Sequence, residues 1–327
     1  MAVGRSGITR TAAATDIARL YCAVKPLVAC CLARAVDMGE AEFDDTASRF
    51  LPDFSSHGRA SITLRQLLSH TSGLFDHTLD PYVCGFRTIV RLACKYPLQE
   101  KSWYRLPRYN DVLTWNVLAA VVEVIYGASF EDVIRQLMAL VPGEPDIRIT
   151  APDPARYIPC HMRRDGSYLT VPEPRSEVMF RTVNPAHGGF ASARDLGLLY
   201  AELVSCARGD GALLSEARAR EMTRQHSVVS FGLGDDQRAC GLGFMTNVAQ
   251  DGIGGGWSHR SFGHAGYVGQ YRVVHAFGDP DNRVAVAMKL FSVGSKNNWR
   301  FNRLGEALWS DLRLGDGLQG VDRQRVI

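Results

Sequence analysis

Cys22-Ala23-Val24-Lys25-Pro26 heads a run, Leu27 to Met38, that is apolar almost all the way round (Leu27, Val28, Ala29, Cys30, Cys31, Leu32, Ala33, Val36). That pattern predicts a helix over Pro26–Met38 buried on most of its sides. Pro26 suits its first turn, where no N–H partner is needed, and Gly39 suits its C-terminal stop. Cys22 and Lys25 then lie at the mouth of a buried helix, three residues apart, a spacing that shares one face. A thiol at a helix N-terminus beside a cation ionises below its free pKa of roughly 8.5. Taken alone, the pair reads as one more core cysteine beside a surface lysine.

Working outward, Thr63-Leu64-Arg65-Gln66 reads as a capping box that opens a short helix through Ser69. Ser129 and Ser192 stand as N-caps ahead of two amphipathic helices, and Val112–Tyr126 reads as another apolar helix closed by Gly127. The texture changes after about residue 225. Gly241–Val248, Arg260–Tyr267, Tyr271–Phe277 and Arg283–Phe291 read as strands, with Gly278–Asp281 as the hairpin turn between the last two. A closing helix is expected at about Asn302–Leu312, followed by a polar tail, 313–327. Helices in the middle and a strand meander at the end make an α+β arrangement.

Composition narrows the function classes. The 327 residues carry 46% hydrophobic and 22% charged side chains, enough for a substantial core. The net charge of +3 comes from 37 basic and 34 acidic residues with no basic stripe, so no nucleic-acid partner is expected. No segment has the length of a membrane span or the apolar core of a signal peptide, and a cytoplasmic location is expected. The eight cysteines contain no C-x-x-C pair, and none of the nine histidines falls in H-E-x-x-H, so neither a metal nor a cofactor is expected.

From Cys22 onward the chain resembles the serine β-lactamase and penicillin-binding-protein superfamily, in particular its class C-like esterases, peptidases and transacylases. Cys22-Ala23-Val24-Lys25 resembles the family's S-x-x-K. Gly39, Asp44-Asp45 and Phe50-Leu51-Pro52 follow in family order. Ile62-Thr63-Leu64-Arg65-Gln66-Leu67-Leu68-Ser69-His70-Thr71-Ser72-Gly73-Leu74 is the most recognisable string. Gly188-Gly189-Phe190-Ala191-Ser192-Ala193-Arg194-Asp195-Leu196 and Gly263-His264-Ala265-Gly266-Tyr267 complete a resemblance that covers about Thr15–Leu312.

The resemblance implies a β-lactamase/transpeptidase-like fold, an antiparallel sheet flanked by helices plus a helical lobe. As one catalytic unit over 1–327, it would place the helical lobe at about 40–185 and the sheet lobe at about 186–312 with the N-terminal segment. It also implies roles. Cys22 would be the nucleophile that forms an acyl-enzyme and Lys25 its activator. Tyr109-Asn110-Asp111 matches the family's Y-x-N, with Tyr104 as the alternative to Tyr109 for the proton-shuttling phenol. His264 would be a further catalytic residue, on the strand edge His264-Ala265-Gly266 that lines the site, with Gly266 and Asp111 among the substrate-binding residues. The backbone N–H groups of Cys22 and Tyr267 would form the oxyanion hole. His70 is read as holding a turn by hydrogen bonds.

Two departures shape the functional expectation. Cysteine stands where the family has serine, and a thioester reacts with amines far more readily, relative to water, than an oxygen ester does. An acyltransferase that passes an acyl group from an ester or thioester donor to an amine in small-molecule biosynthesis is therefore expected. A hydrolase and a catalytically silent binding homologue are the alternatives. Second, only twenty-one residues precede Cys22, where the family has a helix and two strands. The sheet is expected to keep an open edge that a second copy or another chain covers. Substrate choice is expected to reside in the loops Phe75–Trp103 and Tyr157–Pro185, with Tyr82, Phe86, Arg87, Arg163 and Arg164 as candidate lining residues.

Overall fold

In a computed structural model, the structure describes residues 2, 5–6, 10–74, 79–95, 107–151, 156–164, 167–171, 176–231, 236–312 and 314. Tyr104, most of the loop around Trp103, and the tail beyond Leu314 lie outside the described residues, as do the side chains of Arg163 and Arg164.

Helix α1 (Lys25–Asp37) begins after a tight 3-10 turn, Tyr21–Val24. Apart from Arg34 and Asp37 every residue of α1 is buried, as its all-round apolar pattern requires. Full burial of Leu27, Val28 and Leu32 contributes on the order of 1.5–3 kcal/mol for each side chain. Helix α2 (Leu64–Leu68) opens with the expected capping box, Thr63 and Gln66 each satisfying the other's backbone N–H. Helix α3 (Leu113–Tyr126) stops at Gly127, which takes the left-handed conformation. Helices α4 (Phe130–Met138) and α5 (Ala193–Ala207) are capped by Ser129 and Ser192 as expected.

The C-terminal part is a six-stranded antiparallel sheet. Its strands are β1 (Ser227–Ser230), β2 (Gln237–Cys240), β3 (Met245–Thr246), β4 (Phe262–Val268), β5 (Tyr271–Asp279) and β6 (Val284–Lys289), and their spatial order follows the chain. Helix α5 packs on β5 and β6, and helix α6 (Asn297–Asp311) packs on β5. The fold is the α+β, β-lactamase/transpeptidase-like arrangement, an antiparallel sheet flanked by helices.

Several element boundaries differ from the sequence reading. Gly241–Val248 is not one strand. Between β2 and β3 the chain turns at Gly241–Phe244, closed by a 2.8 Å bond from the Gly241 N–H to the Phe244 carbonyl. Gly243 has φ +82° there, and a Cβ on it would lie 2.4 Å from the Ala29 Cβ of α1, so the turn presses against the buried helix. Strand β1 went unread, because Ser227-Val228-Val229-Ser230 is too short to show alternation. The hairpin turn lies at 280–283 because β5 continues through Gly278 and Asp279. Helix α6 starts at Asn297, whose side chain donates 2.8 Å bonds to the Arg272 and Ser292 carbonyls and so fixes the helix start.

Among the described residues, the segment before Cys22 does not join the large sheet. Ala18–Arg19 instead pairs antiparallel with Phe190–Ala191, and the Leu20 N–H donates to the Gly189 carbonyl at 2.9 Å. In this six-stranded sheet β6 is an outer strand. Its side chains Val284, Val286 and Met288 are nonetheless buried in a cluster with Phe301 of α6.

Candidate active site

Cys22 lies in the 3-10 turn, and the Lys25 N–H bonds its carbonyl. In that geometry side chains three apart eclipse one another, so Cys22 and Lys25 share one face of the turn. Tyr21, just before, is held at φ +53°, a left-handed conformation that costs a non-glycine residue on the order of 1 kcal/mol. Its ring is clasped by cations, the Arg19 guanidinium at 4.6 Å and Lys289 Nζ at 5.4 Å from the centroid.

Asp111 and Tyr109 arrive on either side of Asn110, which is the anchor of their loop. The Asn110 N–H donates to His70 Nδ1 (3.0 Å), and its side-chain amide donates to the Leu74 carbonyl (2.8 Å). Its Oδ1 accepts from the Thr114 N–H (3.0 Å), and its carbonyl from Trp115 Nε1 (3.1 Å). His70, at φ +59°, also accepts the Arg108 N–H on its carbonyl, so it holds this turn by hydrogen bonds as expected. The Tyr109 ring stacks on Phe231 (4.4 Å between centroids) and meets His70 at a tilt (4.6 Å).

A further histidine enters the site that the sequence reading did not single out. His187 is carried by Asn184-Pro185-Ala186-His187-Gly188-Gly189, a segment stitched to the Arg19–Lys25 stretch. Lys25 Nζ donates to the Ala186 carbonyl (2.7 Å), and Arg19 Nε donates to the His187 carbonyl (2.8 Å). Asn184 Oδ1 accepts the N–H groups of Ala186 and His187 at 3.2 and 2.9 Å. Gly189 sits at φ +71°, with a hypothetical Cβ only 2.7 Å from Val24, so only glycine permits the approach. The sequence signal was faint: one histidine directly ahead of a Gly-Gly pair in a recognised string.

These segments converge on one atom. Asp111 Oδ1 lies 3.0 Å from Lys25 Nζ, 2.8 Å from His187 Nε2 and 3.6 Å from Cys22 Sγ. Lys25 is fully buried, whereas Asp111 and His187 keep 42% and 23% of their side chains exposed and mark the open side of the cluster.

The charges reinforce one another. Burial resists ionisation of the Cys22 thiol, and Asp111 adds to that resistance, but Lys25 and His187 outweigh both and its pKa lies below the ordinary value. Burial likewise disfavours charge on Lys25, yet Cys22 and Asp111 hold its pKa above the usual range. For Asp111 the cost of burial is overcome by Lys25 and His187, which keep its carboxyl well below the usual carboxylate range. His187 is raised to about 9, because Cys22 and Asp111 overcome its burial. The oppositely charged groups thus favour one another's charged forms: thiolate with ammonium, and carboxylate with imidazolium.

The remaining groups are neutral. Burial and the nearby Lys25 push His264 and His70 down to about 3. His264 Nδ1 lies 2.9 Å from the Ala265 carbonyl, an acceptor only, so Nδ1 carries the proton and Nε2 is left as an acceptor, 3.5 Å from the Tyr109 hydroxyl. Burial, with the Cys22 and Asp111 charges adding, raises Tyr109 well above its usual pKa, so the phenol that meets Cys22 stays protonated.

Strand β4 closes the site from the other side. A Cβ on Gly266 would lie 2.3 Å from the Leu20 carbonyl and 3.2 Å from the Tyr21 Cβ, so the strand presses directly on the turn that holds Cys22. The pairing of β4 with β5 shifts register between Gly266 and Tyr267, and the Tyr267 phenol accepts from Arg272 Nε (3.2 Å). Cys22, Lys25, Tyr109, Asp111, His264 and Gly266 are therefore brought together. Of the loop residues expected to line a substrate site, Tyr82 and Phe86 are instead buried in the core, Tyr82 against the Arg19 guanidinium at 5.0 Å. Arg87 pairs with Glu123 at 2.6 Å.

Among the described residues, Cys22, Asp111 and His187 have ligand atoms within 4.8 Å of one another, close enough to hold a metal ion. The set does not suit one, because the buried Lys25 ammonium already stands beside Asp111 as the cluster's cation. No helix among the described residues is long and apolar enough to cross a membrane.

With this geometry in hand, the class of protein is set by its family. The chain belongs to the Beta-lactamase family, whose model matches residues 5–306. It is similar to esterase EstB of Burkholderia gladioli, 25% identical over an alignment of 264 positions, with 69% of this chain and 64% of that protein covered. The chain thus spans less than two thirds of the length of that curated relative. A penicillin-binding-protein homologue from Caulobacter crescentus superposes with a TM-score of 0.73 at 22% identity, covering 91% of this chain and 84% of that one. EstCE1, described as a hydrolase with promiscuous acyltransferase activity, gives 0.69 at 20% identity, covering 92% and 86%.

Proposed function

We propose that this protein is an acyltransferase that forms a thioester on Cys22 and passes the acyl group from an ester or thioester donor to an amine acceptor in small-molecule biosynthesis. The observation that carries the reading is the buried Lys25 ammonium, 3.0 Å from Asp111, which together with His187 favours Cys22 as a thiolate. A thiolate needs no base to attack a carbonyl. The Cys22 and Tyr267 N–H groups receive the oxyanion, a reading supported by the close approach of strand β4 at Gly266 to the turn that holds Cys22. Tyr109, held protonated, donates a hydrogen bond towards Cys22 and the departing group.

Transfer is favoured over hydrolysis by the chemistry of the thioester, which discriminates towards amines. Hydrolysis is the second reading, supported by the esterase named among the relatives. Incubating the protein with an activated acyl donor, with and without a primary amine, separates them. Amide formed only with the amine supports transfer, and equal donor consumption without it supports hydrolysis. Intact-mass analysis should show an acyl adduct that is absent from Cys22→Ala; no adduct from any reactive ester or thioester overturns both. The reading includes a cytoplasmic location and a second copy or another chain along the outer strand β6, which a strictly monomeric state in solution would overturn.

A further inference from the structure

We infer that His187, held by Asp111, is the acid–base group of both half-reactions, and that acylation of Cys22 itself switches it from acid to base. The inference rests on the acyl-Cys22 reading. His187 Nε2 is 2.8 Å from Asp111 Oδ1, and a ring nitrogen lies within 4.8 Å of Cys22 Sγ. The ring therefore stands beside the atom where the acyl group is attached and from which it leaves. The segment that carries it is fixed by Asn184, Arg19 and Lys25 through the bonds described above. It is the one of the three site histidines that is partly open to solvent, and so the one a leaving group or an incoming amine can reach.

Among the described residues, the charged and titratable groups of the cluster are Cys22 and Lys25 on the turn and α1, Asp111 and Tyr109 on the loop before α3, and Arg19 on the paired N-terminal segment. Tyr109 and His264 cannot take a proton readily near neutral pH, the first because its phenol is held protonated and the second because its imidazole is held neutral by burial. His187 has no such restriction. With Cys22 as thiolate, the thiolate and Asp111 hold the imidazolium, raised to about 9.

The steps balance as follows. The Cys22 sulfur attacks the donor carbonyl, the C–S bond forms, and the bond to the leaving group breaks as that group takes the proton of the His187 imidazolium. The thioester sulfur is uncharged, so the thiolate's share of the attraction that retained this proton is gone, Asp111 alone still draws on it, and His187 stays neutral beside Lys25. An amine then attacks the thioester and the C–N bond forms. Its proton passes to His187, and the C–S bond breaks to restore thiolate and imidazolium together.

The test compares the unchanged protein with His187→Gln, using a p-nitrophenyl ester, whose leaving group needs no acid, and an alkyl thioester of the same acyl group. Acylation of the variant is expected to fall by roughly 10²-fold or more with the alkyl thioester, but by less than about 10-fold with the p-nitrophenyl ester. Transfer from its acyl-enzyme to hydroxylamine is also expected to fall by roughly 10²-fold. In the unchanged protein, acylation by the alkyl thioester should decline as pH rises through about 9. Transfer from the preformed acyl-enzyme should rise with pH and level off below that point. Equal losses for the two donors, transfer in the variant within about threefold of normal, or a transfer limb at or above the acylation limb overturns the inference while a normal Cys22 adduct leaves the acyl-enzyme reading intact. Absence of any Cys22 adduct in the unchanged protein overturns both.

Discussion

Lys25 Nζ lies 3.0 Å from Asp111 Oδ1 and is itself wholly enclosed, so a charge that the core could not otherwise tolerate is retained by a carboxylate entering from a loop far along the chain. The same carboxylate oxygen faces His187 and Cys22.

Replacing Lys25 by Met keeps the packing volume and removes the charge. The Cys22 thiol should then ionise at higher pH, since Lys25 is the strongest of the influences lowering its pKa. The pH dependence of Cys22 alkylation by iodoacetamide checks this, and acyl-adduct formation at pH 7 should fall by roughly 10²-fold. An unshifted alkylation profile contradicts the role given to Lys25.

The thiols of this protein should differ sharply in reactivity. Burial raises Cys30 and Cys31, and raises Cys206 and Cys240 to about 12. Brief iodoacetamide treatment of the folded protein at pH 7.5 (about 10 minutes), followed by peptide mapping, should label Cys22 ahead of these four.

Cys22→Ala removes the thiol whose ionised form helps to hold the His187 proton. The His187 imidazole, followed by NMR, should titrate below the value of about 9 expected for the unchanged protein. The sign follows from the raised folded-state pKa: the stabilisation of imidazolium is complete below its ordinary pKa of about 6.5 and is lost as pH rises through the folded value. An unchanged titration would show that Asp111 alone sets it.

Gly266→Ala adds a methyl group 2.3 Å from the Leu20 carbonyl, so strand and turn must part. Overpacking of this kind costs about 1–3 kcal/mol, which a thermal melt resolves. Displacing Cys22 by a fraction of an ångström to about 1 Å should lower acylation by up to about 10²-fold. Acylation at the normal rate in a folded variant contradicts the close approach.

His70→Ala leaves the buried N–H of Asn110 without its acceptor, at a cost of about 1–3 kcal/mol. Because Asn110 fixes Tyr109 and Asp111 together, acyl-adduct formation should fall as well. A variant with normal stability and activity would assign the turn's rigidity elsewhere.

Much of this could be read from the chain because its signals are local. The apolar circumference of α1, the Thr63/Gln66 box and the serine caps of α4 and α5 each depend on neighbours a few residues away. The Cys22–Lys25 pair was visible for the same reason, and the ordered family strings placed Tyr109, His264 and Gly266 around it. His187 was not visible, since its place beside Cys22 is made by strand pairing between Arg19 and Phe190 and by glycine contacts that only the folded chain displays. The Gly241–Phe244 turn was hidden likewise, because what interrupts the strand is the approach of α1. Burial of Tyr82 and Phe86 could not be told from exposure by composition alone.

The loop that carries Tyr109 is also spliced into the sheet margin. The Tyr109 N–H donates to the Ser230 carbonyl at 3.1 Å, and the Ser230 N–H donates to the Pro107 carbonyl at 3.2 Å. These two bonds latch the helical side of the cleft to strand β1 beside the nucleophile. The walls cannot spread at that point without unfastening the latch, so the opening that Asp111 and His187 give the cluster towards solvent keeps a fixed width on that side.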